Sequence, residues 1–396
     1  MKHRIVVLGA GYAGAFSAGY LARQLHHDDF EITVVNAAPD FVERLRLHQL
    51  AAGRDLRHRP LAEVFAGTGI RLRLARVTNV DVEHRTVTVA DDEGVDRLEY
   101  DTLLYALGST AADHGVAGVD EHAFPVAARP SALRLRARLD ELGEGGKVLV
   151  VGGNLTAIEA ATEIAEFRPE LRVSLATSGE LGGWLGTKAR RHLLRAFDRF
   201  GITVHEHTTI ERLEEAAALA ADGTAFASDA TVWAAGFALH PIAAASGLEV
   251  APNGQITVDR QMRSVSHPDV YVAGDSAFVI GDNGRPLPMS CASAGYTGMQ
   301  ATAAIVGDRT GRKIKATALT YFGNHISLGR EDGIFQLVDG DARSKSGALC
   351  GRSAAHVKSA IVAASGWAIS HPTFGRPTHK YRLATTREHS ADVVAA

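Results

Sequence analysis

The pattern that most limits how this chain can fold occurs twice. Residues 4–14, RIVVLGAGYAG, and residues 147–157, KVLVVGGNLTA, each run from an apolar stretch through a glycine cluster into an alanine-rich periodic segment. A short apolar run bounded by glycines reads as a buried strand, and the periodic segment after it reads as a helix. Each unit is followed by a further apolar run, EITVV at 31–35 and LRVSLA at 171–176. Two such β-α-β units predict an α/β fold built on parallel strands.

More strands are expected at 101–109, at ITVHE after a helix over 186–200, at 230–237 and at 269–275. Short alternating runs over 70–100 predict a β-meander with a turn at Asp91–Gly94. A helix is expected from Ser290 to Val306, and strands followed by a helix near 355–370 close the chain before a polar tail expected to be mobile. The second β-α-β unit falls between segments that would complete the first. The expected layout is therefore two Rossmann-like dinucleotide-binding domains, one inserted in the other: residues 1–110 with 236–325, and residues 111–235. A small C-terminal region covers 326–396.

The glycine spacing gives the first turn its chemistry. Gly9 permits a tight turn, Gly11 lets a pyrophosphate approach bare backbone, and Gly14 lets the helix pack closely on the sheet. The helix N-terminus adds free N–H groups and the positive end of a dipole. Asn36 ends the second strand, where an acid usually grips the adenosine ribose. Its amide oxygen can accept a ribose hydroxyl, or it begins the turn before Pro39. Asp275, after the strand and turn glycine of YVAG, stands where α/β sheets bind ligands, as a ligand acceptor or as a turn carboxylate.

In the second turn Gly152 is in place and Ala157 suits the packing position, but Asn154 replaces the middle glycine. Its Cβ and amide stand where a pyrophosphate should meet backbone. Asn tolerates a left-handed φ, so the turn can survive with a weakened site. No acid stands at Thr177 or Ser178, and Lys188, Arg190 and Arg191 downstream tilt the expectation toward NADPH over NADH, unless they form a solvated helix face. Glu159, in the first turn of the following helix, complements the dipole or acts as a buried acid with a raised pKa. Glu163, one turn on, is expected to be exposed. Arg44, Arg46 and His48 belong either to a charged surface helix or to a segment that meets cofactor and substrate.

A net charge of −3 and a pI near 6.7 offer no surface for nucleic acid. Two cysteines, Cys291 and Cys350, form no metal-binding spacing and no disulfide framework. No stretch is long and apolar enough to span a membrane, and a cytoplasmic, reducing location is the expectation.

GAGYAG, TLLYALGS, VVGGNLTAIEAATE, VWAAGF and YVAGDSA occur in that order. Together they resemble the two-dinucleotide-binding-domain flavoproteins, most closely the type II NADH dehydrogenase-like group, and PDFVERLRLHQLAAG at 39–53 adds to the likeness over roughly residues 1–330. The resemblance implies FAD in the first site. Gly9, Ala10, Gly11, Tyr12, Ala13 and Gly14 would line its pyrophosphate, Val77 its adenine edge, and Asn36 and Arg44 would lie beside it. Ala106, Gly108 and Ser109 would mark the crossing to the second domain. Gly274 and Asp275 would hold the ribityl chain, and the helix start at Cys291 and Ala292 would face the flavin. Cys291 is expected to be a packed residue rather than a nucleophile.

Gly152 and Asn154 would contact NADPH or NADH, and Glu159, with His48 and Arg46, would serve catalysis as a proton relay or substrate contact. The lack of a cysteine pair near the first helix excludes disulfide reduction and disfavours sulfide oxidation. The implied activity is electron transfer from NAD(P)H through flavin to a quinone or another small acceptor. The alternatives are an FAD enzyme with a degenerate nicotinamide site acting on an organic metabolite, and a non-catalytic FAD-bound protein. A homodimer and peripheral membrane contact are the expected partnerships, and HVKSAIVAASGWAISHP at 356–372 is open to a dimer or lid role.

Overall fold

Strongly apolar strands without alternation need cover on both faces, and the chain supplies it twice. In the computed structural model, which describes residues 1–313, 316–339, 343–375 and 380–384, two five-stranded sheets share one plan. The first runs Val270–Val272, Thr102–Tyr105, His3–Leu8, Phe30–Asn36, Ile70–Leu74, all parallel. The second runs Thr203–His205, Arg172–Ala176, Lys147–Val151, Ala230–Trp233, Ala123–Pro125, again all parallel. In each, the strand before the glycine turn is central. Its sequence successor lies on one side and a late strand on the other. That reversal makes the crevice at the strands' C-terminal ends where open α/β sheets take ligands.

The expected strands and helices form with shifted ends. Helices cover Tyr12–Gln24, Leu155–Phe167, Thr187–Phe200, Cys291–Thr310 and Arg352–Ser370. Two strand readings need correction. Of the 70–100 run, Ile70–Leu74 joins the parallel sheet, and only Arg76–Asp81, Thr86–Asp91 and Gly94–Glu99 form the meander. The Asp91 carboxylate accepts the N–H groups of Glu93 and Gly94 at its predicted turn. The 230–237 strand stops at Trp233, because Gly236 takes a φ of +148°. The chain resumes as Phe237–Leu239, antiparallel to Ser109–Ala111, so the two crossings between the sheets are hydrogen-bonded to each other.

A three-stranded antiparallel sheet, Gly323–Ser327, Gly333–Val338 and Ser344–Cys350, precedes the last long helix. The short helix Leu47–Ala52 follows a 3-10 turn at Arg44–Arg46 and is encoded within the first unit. Its Leu47, Leu50 and Ala51 nevertheless join the core of the second, with Ile158 and Ile164, and with Ile326 and Ile334 of the C-terminal sheet. The reading of 41–48 as a charged surface helix is therefore wrong. Glu43 is buried against Arg46 and Arg59, and His48 is buried on a short helix whose Leu47, Leu50 and Ala51 enter the core.

The polar tail is ordered where it is described. Tyr381 bridges Leu25 in parallel register, its N–H donates to the Gln24 carbonyl at 2.7 Å, and Arg382 pairs with Asp28 and Asp29. The rest of the expected mobile tail, 378–379 and 385–396, lies outside the described residues.

Candidate active site

At the first turn Gly9 adopts φ +90°, and a Cβ there would lie 2.5 Å from the Ala106 carbonyl oxygen. A Cβ on Gly14 would lie 1.9 Å from the Gly9 oxygen. Both positions therefore demand glycine for packing within the protein. Gly11 does not: it caps the helix in extended conformation, and a Cβ there would meet nothing within 4 Å. The first backbone bond of this helix runs from Ala15 N to Gly11 O, which leaves the N–H groups of Tyr12, Ala13 and Gly14 without intrahelical acceptors. Bare backbone, open space and a positive helix end coincide at one point.

Gly274, at φ +74°, brings Asp275 to the same place, since a Cβ on Gly274 would lie 3.0 Å from that of Ala13. The Asp275 carboxylate accepts the Ser109 hydroxyl at 2.7 Å and has Arg44 Nη1 at 3.6 Å. Arg44 also donates to the Ser109 carbonyl at 2.9 Å and lies over the Phe237 ring, so it braces the crossing strands. Gly108 N donates to the Ser276 hydroxyl at 3.1 Å. Behind Asp275, Ser290 caps the helix Cys291–Thr310 by accepting from Ser293 N at 3.1 Å. Burial, and then the Asp275 charge, push the Cys291 thiol up to about 12, which leaves it protonated and no nucleophile.

Two expected contact residues also have roles within the protein. Both ends of the Asn36 amide are engaged within the protein, its oxygen accepting from Ala10 N at 2.8 Å and its nitrogen donating to Ala38 O at 2.7 Å. Asn36 thus ties the glycine turn to the strand end. Val77 is buried in the meander opposite Val89, next to a register break.

The second turn copies the first except at one residue. Gly152, at φ +140°, packs against the Ala234 carbonyl as Gly9 does against Ala106. Asn154 takes the place of Gly11 as the cap of its helix, with an extended φ of −86°, so the turn survives without the left-handed φ that Asn tolerates. Both ends of its side chain are engaged: Oδ1 accepts from Ala157 N at 3.0 Å, and Nδ2 donates to Ala234 O at 2.7 Å. Thr177 is buried at the position equivalent to Asn36. The Trp184 indole donates to Gly153 O at 3.3 Å. A small cavity beside Asn154, lined also by Thr156, Trp233 and Phe237, holds only about 10 Å³. Arg190 does not reach outward. It pairs with Glu180 at 3.1 Å and Glu206 at 3.4 Å, while Lys188 and Arg191 are exposed.

The densest titratable cluster lies where helix Leu155–Phe167 meets His48 and the C-terminal helix. Glu159 Oε1 lies 2.6 Å from Lys358 Nζ and accepts Ser327 N at 2.8 Å, and Oε2 lies 3.9 Å from His48 Nδ1. Burial alone would raise the Glu159 pKa, but Lys358, His48 and the two hydrogen bonds hold it below the usual range. The expected raised pKa is therefore wrong: Glu159 is held as the carboxylate partner of Lys358. Burial keeps His48 neutral by lowering its pKa against the pull of Glu159 and Glu163. Glu163, expected to be exposed, is fully buried and paired with Arg54. Arg46 is committed to Glu43 at 3.2 Å and to Gln49 at 2.8 Å.

Lys358 is the functional candidate that sequence reasoning missed. Its signal was present: with Ala354, Ala355 and Ile369 it lies on the buried face of an otherwise apolar helix, where a cation demands a buried partner.

Comparison with known proteins agrees with this geometry. An NADH dehydrogenase-like protein of Mycobacterium tuberculosis is 26% identical over 84% of this chain and 87% of its own. A type II NADH:quinone oxidoreductase of Staphylococcus epidermidis is 25% identical over 88% and 93%. Among solved structures, the sulfide:quinone oxidoreductase of Aquifex aeolicus shares the fold with a TM-score of 0.78 at 21% identity, covering 93% of this chain and 92% of that one. NDH2 of Plasmodium falciparum, solved with NADH, gives 0.75 at 15% identity, covering 96% and 100%. Residues 3–304, which carry both glycine turns and the Asp275 segment, match the pyridine nucleotide-disulphide oxidoreductases, and it is to that family of enzymes that the chain belongs.

Proposed function

We propose that the protein is an FAD-dependent oxidoreductase that takes a hydride from NAD(P)H and delivers the electrons to a quinone or a similar small acceptor. One observation carries this reading: the close approach of Gly274 to Ala13 brings Asp275 beside the helix end that Gly11 leaves uncovered, where a pyrophosphate and a polyol chain would lie end to end. The residues suit the group. Tyr12, Ala13 and Gly14 N–H would hold the phosphates, Asp275 the ribityl hydroxyls, and the helix start at Cys291 and Ala292 the electron-rich edge of the ring. Bound there, the flavin would supply the two-electron redox chemistry. The protein's own work is to fix position and handle protons. Lys358 holds a proton against Glu159, and Ser327 and the His325 carbonyl orient the pair, with Lys358 Nζ donating to His325 O at 2.9 Å.

Asn154 favours a second reading in which FAD is kept and the reductant is a small organic molecule, because its side chain already occupies the cap that a nicotinamide dinucleotide would need. Anaerobic mixing separates the two. Bleaching of the yellow protein by NADH or NADPH supports the first, and indifference to both, with bleaching by an organic donor, supports the second. Protein that binds no FAD would end both.

No helix among the described residues is long and apolar enough to cross a membrane. Exposed Trp367 and Phe374, whose rings meet edge to face at the end of the C-terminal helix, would suit a second copy or a bilayer surface.

A further inference from the structure

The overall reaction NAD(P)H + quinone + H⁺ → NAD(P)⁺ + quinol moves two electrons and one hydrogen as hydride, and the second hydrogen of the quinol comes from water. A buried site therefore needs a way in for one proton per turnover. Lys358 and Glu159 are about nine-tenths buried or more and cannot take it from solvent directly.

Helix Leu155–Phe167 places three carboxylates on one face, at Glu159, Glu163 and Glu166, spaced i, i+4 and i+7. Side-chain exposure along this row is 5%, 1% and 27%, so it runs from the buried pair to the surface. His48 stands against its inner half and Arg54 against its outer half, with Arg54 Nη2 at 3.3 Å from Glu166. Two atoms in this row lack any protein partner although fully buried: His48 Nε2 and Glu163 Oε2. Buried polar atoms in native proteins are seldom left so, and a bridging water is the usual partner. The charged groups that act on His48 are Glu159 and Glu163 from this helix, Lys358 from the C-terminal helix and Arg46 from its own segment.

We propose that His48 and Glu163, joined through a buried water, form the proton route that recharges the Glu159–Lys358 pair from solvent near Glu166. A neutral imidazole has one donor and one acceptor nitrogen, so it can take a proton on one side as it yields one on the other. Nδ1 lies 3.9 Å from Glu159 Oε2, and Nε2 is the buried nitrogen without a protein partner, which leaves it for the water. Arg54 stays charged throughout and keeps Glu163 in place. Glu159 and Glu163 end each cycle in their starting protonation states, so the route adds nothing to the overall balance.

This proposal rests on the oxidoreductase reading, and the test separates their failures. With a water-soluble short-chain benzoquinone as acceptor, Glu163→Gln is expected to lower turnover about tenfold or more, whereas anaerobic bleaching by NADH or NADPH stays within about twofold, since hydride transfer needs no proton from water. Glu163→Asp, which keeps an acid, retains most of the turnover. His48→Gly shows the same loss, and imidazole added to the buffer restores turnover, a rescue that a merely structural role would not give. Independently of activity, ¹⁵N-histidine spectra should show the His48 signal, identified by its loss in His48→Gly, moving in Glu163→Gln. Unchanged quinone turnover in both variants, or an unmoved His48 signal, overturns the route. Wild-type protein that neither NADH nor NADPH bleaches removes the parent reading, and the route falls with it.

Discussion

The two glycine turns share a strand order, a tight-turn glycine packed on a carbonyl and an extended cap residue, yet they differ at the one atom that decides what the helix end can hold. Gly11 leaves its helix end bare, and Asn154 caps one N–H group of its own. A helix N-terminus is a site for an anion only while its N–H groups lack partners. Asn154 satisfies Ala157 N from within and also ties down Ala234. A dinucleotide entering the second turn must displace those bonds, at a cost of about 1–2 kcal/mol, or roughly five- to thirtyfold in affinity. The second turn is thus handicapped by its own cap, while its backbone is sound.

That contrast can be broken most severely by giving the first turn the second's residue. Gly11→Asn is expected to cut FAD binding by about a hundredfold or more, because the amide would cap Gly14 N and fill the open space above the turn. The protein should emerge colourless, which the ratio of flavin to protein absorbance measures directly. Asp275→Asn should weaken FAD by about tenfold while keeping the Ser109 contact, since a charged acceptor is worth about twice a neutral one. A flavin dissociation titration reads it.

The converse exchange, Asn154→Gly, should tighten NAD(P)H binding about tenfold. It should cost only a few tenths of a kcal/mol in stability, because glycine is itself a fair cap, whereas Asn154→Ala should cost about 1 kcal/mol. If the glycine variant binds no better, the self-capping account is wrong.

The smallest effect contrasts a histidine of the first sheet with one of the C-terminal sheet. Burial lowers both His3, bonded to Thr102, and His325, stacked on Phe335, to about 4. Between the ordinary value of 6.5 and about 4 the unfolded chain binds these protons and the folded one does not. Their contribution is therefore intact above that window and lost as pH falls through it. Urea midpoints measured across this range should fall with acid, and His3→Gln and His325→Gln should each remove part of the slope.

Both turns and their strands were legible because glycine spacing and unbroken apolar runs are local signals. Asn154 was legible as a fault but not as a cap, since the Ala234 carbonyl that receives its amide lies 80 residues away. Glu163 misled for the same reason. Its polarity suggested solvent, and only the arrival of Arg54, just after the helix Leu47–Ala52, makes its burial tolerable. Lys358 is the far end of a pairing spanning 199 residues, and no local pattern encodes such a distance. The catalytic candidates were thus the least legible part of the chain, because each is defined by a partner from another element.

The strands Ser109–Ala111 and Phe237–Leu239, by which the chain leaves the first sheet and returns to it, lie side by side. The intervening segment therefore begins and ends at neighbouring points, like a cartridge with both terminals on one edge. Such a segment can be exchanged as a unit without lengthening or straining either join. A chimaera that receives this segment from a relative with glycine at the cap would need that relative's partners for Leu47, Leu50, Arg54 and Lys358 as well, because these meet the segment from outside it.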